Sequence, residues 1–168
     1  GIACIYQELS IVPQVDLAHN IYLGNLPLKP GSKMIDKKKL YSDARRILDM
    51  LGLSFSPKTL AGELSIAQQQ MLEIGRALSR NARCIIMDEP TSSLSDAETE
   101  ILFGLIEKLK ASEVAIIYIS HKLNEVMRIS DRITVIRDGE NVVTKDTREF
   151  TESELIENMI GRDASKLY

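Results

Sequence analysis

The sequence predicts an α/β fold, with a parallel sheet and interleaved helices, an inserted mainly helical segment, and a terminal β-hairpin followed by a helix. Three observations carry this. Two apolar runs, residues 84–87 and 114–119, show little of the polar alternation of a half-exposed strand, as expected where both sheet faces are covered. Each run is followed by an apolar pattern of helical period, which is the strand–helix order of a parallel sheet. The dipeptide Asp138-Gly139, set between residues 132–137 and 140–144, is the pair favoured in a tight two-residue hairpin.

The chain opens in a strand-like run containing Ile2, Cys4, Ile5 and Tyr6. It has no initiator methionine, and the expectation is the interior of a longer chain. Residues 8–33 hold Pro13, Pro27 and Pro30, which break the segment into loops and short helices. Asp36 can cap the next helix, where Leu40, Ala44, Ile47, Leu48 and Leu51 recur at helical spacing and Gly52 stops the run. Ser65-Ile66-Ala67-Gln68 has the spacing of a capping box. Behind it Met71, Leu72, Ile74, Ala77 and Leu78 form an apolar stripe read as core packing, ending near Arg80.

The strand at 84–87 then delivers Asp88 and Glu89. Ser95-Asp96-Ala97-Glu98 is a second capping box, with Ile101, Leu102, Leu105, Ile106 and Leu109 expected inward. After the strand at 114–119 come Ser120-His121 and a short helix near 123–129. Thr151 caps a last helix that ends at Gly161. The expected division is a strand at 1–7, a mainly helical subdomain at 8–80, and an α/β part at 81–168.

Composition excludes several classes. Of the 168 residues 44% are hydrophobic and 27% charged, which is a globular balance. The formal charge is −3, and the one basic run, Lys37-Lys38-Lys39, reads as a solvated helix start, so nucleic acid is not implied as a partner. No apolar stretch approaches the roughly 18 residues of a membrane span. Cys4 and Cys84 lie in apolar strand-like runs and are expected as buried, reduced thiols without function.

The chemistry concentrates at strand ends. Adjacent carboxylates repel and are costly to desolvate, so Asp88 and Glu89 need open solvent or a cation. Ligands of open parallel sheets bind beyond the carboxyl ends of the strands, where Gln7, Asp88, Glu89 and His121 all fall. Two acids, an amide and an imidazole arriving this way suit a magnesium–nucleotide site.

Taken together these segments resemble the nucleotide-binding domain of ABC transporters, an ATPase with a P-loop NTPase-type core, over nearly the whole chain. Gln7 resembles the Q-loop glutamine, Leu64-Ser65-Ile66-Ala67-Gln68 the signature motif, and CIIMDEP the Walker B strand. Ser92-Ser93-Leu94-Ser95 resembles the D-loop, and His121 in YISHK the switch histidine. The forms LSIAQQQ and YISHKL and the ending MIGRD are most similar to the first cassette of the ATPases of bacterial ribose, galactose and xylose importers.

The resemblance implies ATP and Mg2+ as cofactors. It implies that Asp88 holds Mg2+, largely through water, that Glu89 polarises the attacking water, and that His121 contacts the γ-phosphate. Gln7 would touch Mg2+ or that water and link the site to the membrane subunit. Ser65 and Gln68, at a helix N-terminus that favours anions, and Ser93 and Ser95 would face ATP at a cassette dimer interface. Implied partners are a second cassette, the transmembrane permease subunits and, indirectly, a sugar-binding protein. The implied location is the cytoplasmic face of the bacterial inner membrane, held peripherally.

The sequence departs from the family pattern in three places. Ile66 and Ala67 replace both signature glycines, and Ser95 stands where the D-loop carries aspartate. No G-x-x-x-x-G-K-[ST] loop occurs in the 168 residues. The family places that loop upstream of the Q-loop, so the first strands, the phosphate loop and the adenine-stacking aromatic are expected before residue 1. These residues alone are expected to bind ATP weakly, not to hydrolyse it, and to self-associate. The alternatives are a non-catalytic interaction module, or an ABC-type ATPase of DNA repair or translation; the latter would carry coiled-coil insertions or basic arms.

Overall fold

The computed structural model describes residues 1–6 and 9–161, in two compact units that meet in the chain between Ile119 and Ser120. In the first unit β1 (Ile2–Ile5), β2 (Cys84–Asp88) and β3 (Ala115–Ile119) form a parallel sheet in that order. The register aligns Ile2 with Cys84 and Ala115, and Cys4 with Ile86 and Ile117. Both crossovers run in the same direction across the sheet. Right-handed connections therefore place both on one face. That face carries the buried Ala3, Ile5, Ile85 and Met87, with α3 (Ile66–Ser79) against β1 and α4 (Asp96–Ala111) against β3.

Between β1 and β2 lie α1 (Leu17–Ile21), α2 (Lys37–Met50) and α3, which pack on one another through Leu17, Ile21, Leu40, Leu48, Met71, Leu72 and Ile74, all almost fully buried. The predicted caps form. Asp16 accepts from the His19 amide and Asp36 from the Lys39 amide, while Ser65 and Ser95 make reciprocal capping boxes with Gln68 and Glu98. The three lysines at the start of α2 are exposed, as expected.

In the second unit α5 (Leu123–Ile129), the hairpin of β4 (Arg132–Arg137) and β5 (Glu140–Asp146), and α6 (Glu152–Ile160) enclose a small core of Ile133, Val135, Phe150 and Leu155. Asp138 and Gly139 both take positive φ, +53° and +81°, as a two-residue hairpin turn demands. Gly161 closes α6 at φ +75°, where a Cβ would strike the Arg137 guanidinium.

Three expectations require correction. Strand β3 is not covered on both faces: Ile117 and Ile119 are about half exposed, because both crossover helices lie on the opposite side. For the same reason Cys4 is exposed and Cys84 only half-buried, rather than buried, although both are free thiols. Ile101 lies outside the buried arc of α4, at its flank towards Gly52, and Phe103 fills the inward position that the spacing had not assigned.

Candidate functional site

Parallel strands finish on a common edge, so the carboxyl ends of β1, β2 and β3 share one margin of the sheet. Asp88, the last residue of β2, pairs with Ile119, the last of β3. The pairing extends one residue further, because the Glu89 amide donates to the Ile119 carbonyl at 2.9 Å. Glu89 is half-buried, and its backbone turns at once into the left-handed region with φ +50°. For a residue with a Cβ this conformation costs on the order of 1–3 kcal/mol. Asn81, Glu113 and Asp138 adopt it in turns, whereas Glu89 adopts it at the end of the central strand. The buried Pro90 and Thr91 follow, and the Ser92 amide closes back onto the Glu89 carbonyl at 3.1 Å. The tight turn holds two adjacent carboxyl groups at the edge of the sheet.

Ser93 and Ser95 are exposed on the segment from this turn into α4. Ser95 is occupied as a cap: its amide donates to Glu98 Oε2 at 2.9 Å, and its hydroxyl donates to the same oxygen at 2.7 Å. Ser65 and Gln68 form a separate cluster at the head of α3. The Ser65 amide donates to Gln68 Oε1 at 3.0 Å, and Ser65 Oγ accepts from the Gln68 amide at 3.2 Å. Ile66, where a glycine would leave the backbone open, projects outward and is 65% exposed. His121 is exposed, two residues past the end of β3, and belongs to the second unit. Gln7, and the Arg162 and Asp163 of the terminal motif, lie outside the described residues.

Among the described residues no group of three or more His, Cys, Asp or Glu side chains forms a metal cluster. Mg2+ characteristically takes one or two carboxylates and completes its shell with water and phosphate oxygens. Asp88, a hard oxygen donor at the strand end, has the chemistry for such a site. An open groove of about 800 Å³ lies in the helical part of the first unit, with Tyr22, Pro27, Asp43, Arg46 and Met50 among its walls. It includes none of the strand-end residues. There burial would raise the Asp43 carboxyl, but hydrogen bonds and positive charge from Arg46 and Lys39 outweigh it and hold the group below its ordinary 3.8.

One polar network escaped the sequence reading. Glu73 and Arg76 lie within the apolar stripe of α3, only 7% and 8% exposed, and bind Ser10 and Asn20 across the packed helices. The signal was present as two opposite charges three residues apart between Leu72 and Ala77.

A three-stranded parallel sheet with an acid pair at its central strand end and a capped helix beside its first strand defines an α/β protein of open-sheet type. The chain belongs to the ABC transporter family, whose model matches residues 1–92. It is 49% identical, over 96% of its length, to the putative ribose/galactose/methyl galactoside import ATP-binding protein 1 of Agrobacterium fabrum. It is 46% identical over its whole length to the xylose import ATP-binding protein XylG of Thermoanaerobacter pseudethanolicus. It covers 32% and 33% of those proteins, so the chain spans about a third of the curated relatives it matches. Among solved structures it superposes on the dimeric post-hydrolysis ATP-binding cassette MJ0796, bound to ADP and Pi, with a TM-score of 0.76 and 25% identity, over 89% of this chain and 64% of that one. The cassette MJ1267 matches with a TM-score of 0.78 at 25% identity, over 96% and 67%. The fold is that of a P-loop NTPase-type ABC cassette.

Proposed function

We propose that the protein carrying this sequence is the ATP-hydrolysing subunit of a carbohydrate importer, coupling Mg-ATP turnover at a cassette dimer interface to sugar uptake. The observation that carries this reading is Glu89, held half-buried in a strained left-handed turn immediately after Asp88. Strain of this kind persists where the surrounding structure over-determines it, and it concentrates at functional sites. In this reading Asp88 holds Mg2+ through water, and the metal, when bound, neutralises charge on the phosphates. Glu89 orients and polarises the attacking water. His121 and Gln7 complete the site at the γ-phosphate, and Ser65, Gln68, Ser93 and Ser95 face the nucleotide of a second cassette. The capping bonds of Ser65 and Ser95 are compatible with this, since each hydroxyl oxygen has a second lone pair.

The sugar class is supported by the ribose, galactose and xylose import proteins among the relatives. A second cassette as partner is supported by the dimeric form of a solved relative. No helix of the described residues is long and apolar enough to cross a membrane. A place at the cytoplasmic face of the bacterial inner membrane, held peripherally through permease subunits, is supported by the import ATP-binding proteins among the relatives.

The test is Mg-ATP binding and phosphate release by the full-length protein carrying this sequence, with and without Glu89→Gln. The variant should retain ATP and lose turnover by a factor on the order of 10² to 10⁴, the range of a general base. Unchanged turnover would assign water activation to another residue. Absence of ATP binding in the unaltered protein would favour a non-catalytic interaction module.

A further inference from the structure

The strap around Ser10 and Val12, between β1 and α1, has no regular structure, yet the backbone N–H and C=O of both residues are held by buried side chains of α1 and α3. Glu73 Oε1 accepts from the Ser10 amide and from the Ser10 hydroxyl, each at 2.8 Å. Arg76 Nη1 donates to Ser10 Oγ at 2.7 Å, and Nη1 and Nη2 both donate to the Ser10 carbonyl at 3.3 Å. Arg76 and Glu73 pair at 3.3 Å, and Arg76 Nε donates to the Asn20 carbonyl at 3.0 Å. The Asn20 side chain, completely buried, accepts from the Val12 amide at 2.9 Å and donates to the Val12 carbonyl at 3.0 Å. The donor and acceptor roles close on themselves: the Ser10 hydroxyl gives its hydrogen to Glu73 and takes one from Arg76.

Stability alone does not account for the pair. Burying two charges carries a desolvation cost that often cancels their attraction, and apolar residues of similar volume commonly serve stability as well or better. What a fully satisfied charged network adds is one fixed geometry. Here it fixes the strap to α3, the helix whose first residue follows Ser65 and which packs against β1.

We infer that Glu73 and Arg76 are positioning residues that lock the strap around Ser10 to α3, and so fix where the Ser65 end of that helix stands. The inference rests on the proposed ATPase reading for its consequence, though not for its geometry.

Two measurements test it on the protein carrying this sequence. Hydrogen exchange reads the lock directly. In Glu73→Ala the Ser10 amide should exchange about tenfold faster or more, the loss expected for a hydrogen bond to a charged group, with the α2 amides unchanged. Normal protection at Ser10 overturns the inference whether or not the protein hydrolyses ATP. The second measurement is kinetic, on the apolar pair Glu73→Met with Arg76→Leu. Thermal stability should be kept while kcat falls on the order of 10- to 100-fold, the range for a small misplacement far from the chemistry, with KM for ATP little changed. Retained kcat in a variant of normal stability would reduce the pair to packing and overturn the role. Should the apolar pair fail to fold, Glu73→Gln and Arg76→Lys decide: partial loss of kcat with intermediate Ser10 exchange supports the inference, and unaltered values reject it. If the unaltered protein shows no turnover, the ATPase reading fails by itself and the exchange result still stands or falls alone.

Discussion

Tyr41 shows how much one side chain can organise away from the strand ends. Its hydroxyl donates to Asp16 Oδ2 at 3.0 Å, while Asp16 Oδ1 accepts from the His19 amide at 2.8 Å and lies 2.7 Å from His19 Nδ1. The ammonium of Lys58 sits 5.3 Å above the ring of Tyr41. Burial raises the phenol above its ordinary 10.0, and the hydrogen bond to Asp16 and that residue's negative charge add to it. A group that holds its proton more tightly when folded contributes stability below its unfolded value and loses that contribution as pH rises through the folded one. Stability should therefore decline above pH 10, and Tyr41→Phe should flatten that decline in urea titrations run at rising pH. An unchanged slope would remove Tyr41 from the alkaline limb. The identity of Asp16 as a cap follows from residue type and position, but its hold on a tyrosine twenty-five residues away does not. Glu89 is similar: the acid pair and its place after a strand are readable in CIIMDEP, whereas its left-handed backbone and the pairing of its amide with Ile119 are visible only in the folded structure.

At the scale of elements, local chemistry predicted most of what forms. Both capping boxes close as their spacing indicates, because Ser at the cap and Gln or Glu three residues on satisfy orphan amides within one turn. The hairpin turn and the stop at Gly161 follow from backbone freedom. Contacts between helices were not readable. Gly75 lies where α3 meets α2, and a Cβ there would come within 3.0 Å of Ile47 Cγ2 and Leu51 Cδ1. Both neighbours are buried and have little room to give. Overpacking of this kind costs roughly 1–3 kcal/mol, against about 1 kcal/mol gained in helix propensity. Gly75→Ala should thus lower the urea midpoint modestly at constant m-value, and a raised midpoint would show that the helices can separate freely. A helical glycine alone would have pointed towards lower helix stability, with the sign of the substitution reversed.

For the molecule as a whole, the decisive feature is the uncovered face of the parallel sheet. Ile2, Cys4, Ile86, Ala115, Ile117 and Ile119 lie on that face, with Ile2, Ile117 and Ile119 each at least 46% exposed. Parallel sheets in water are otherwise covered on both sides, and an apolar face of this extent promotes association. The 168-residue chain should therefore show a light-scattering mass above its 18.8 kDa monomer, and Ile117→Asp with Ile119→Lys should shift it towards the monomer. A clean monomer in the unaltered chain would contradict the reading.

What the sequence determined by itself is local and ordered along the chain: strand ends that deliver polar residues, serines that cap helices, and a run of motifs whose order identifies the ABC cassette. These depend on spacing within a few residues, which sequence displays directly. What only the tertiary structure decided depends on contacts between residues far apart. It placed both crossover helices on one side, leaving Ile117 and the cysteines on the other. It drew Glu73 and Arg76 onto Ser10, more than sixty residues away in sequence. Such partners are selected by packing and by the need to satisfy buried polar groups. Those requirements exist only once the helices and strands have come together.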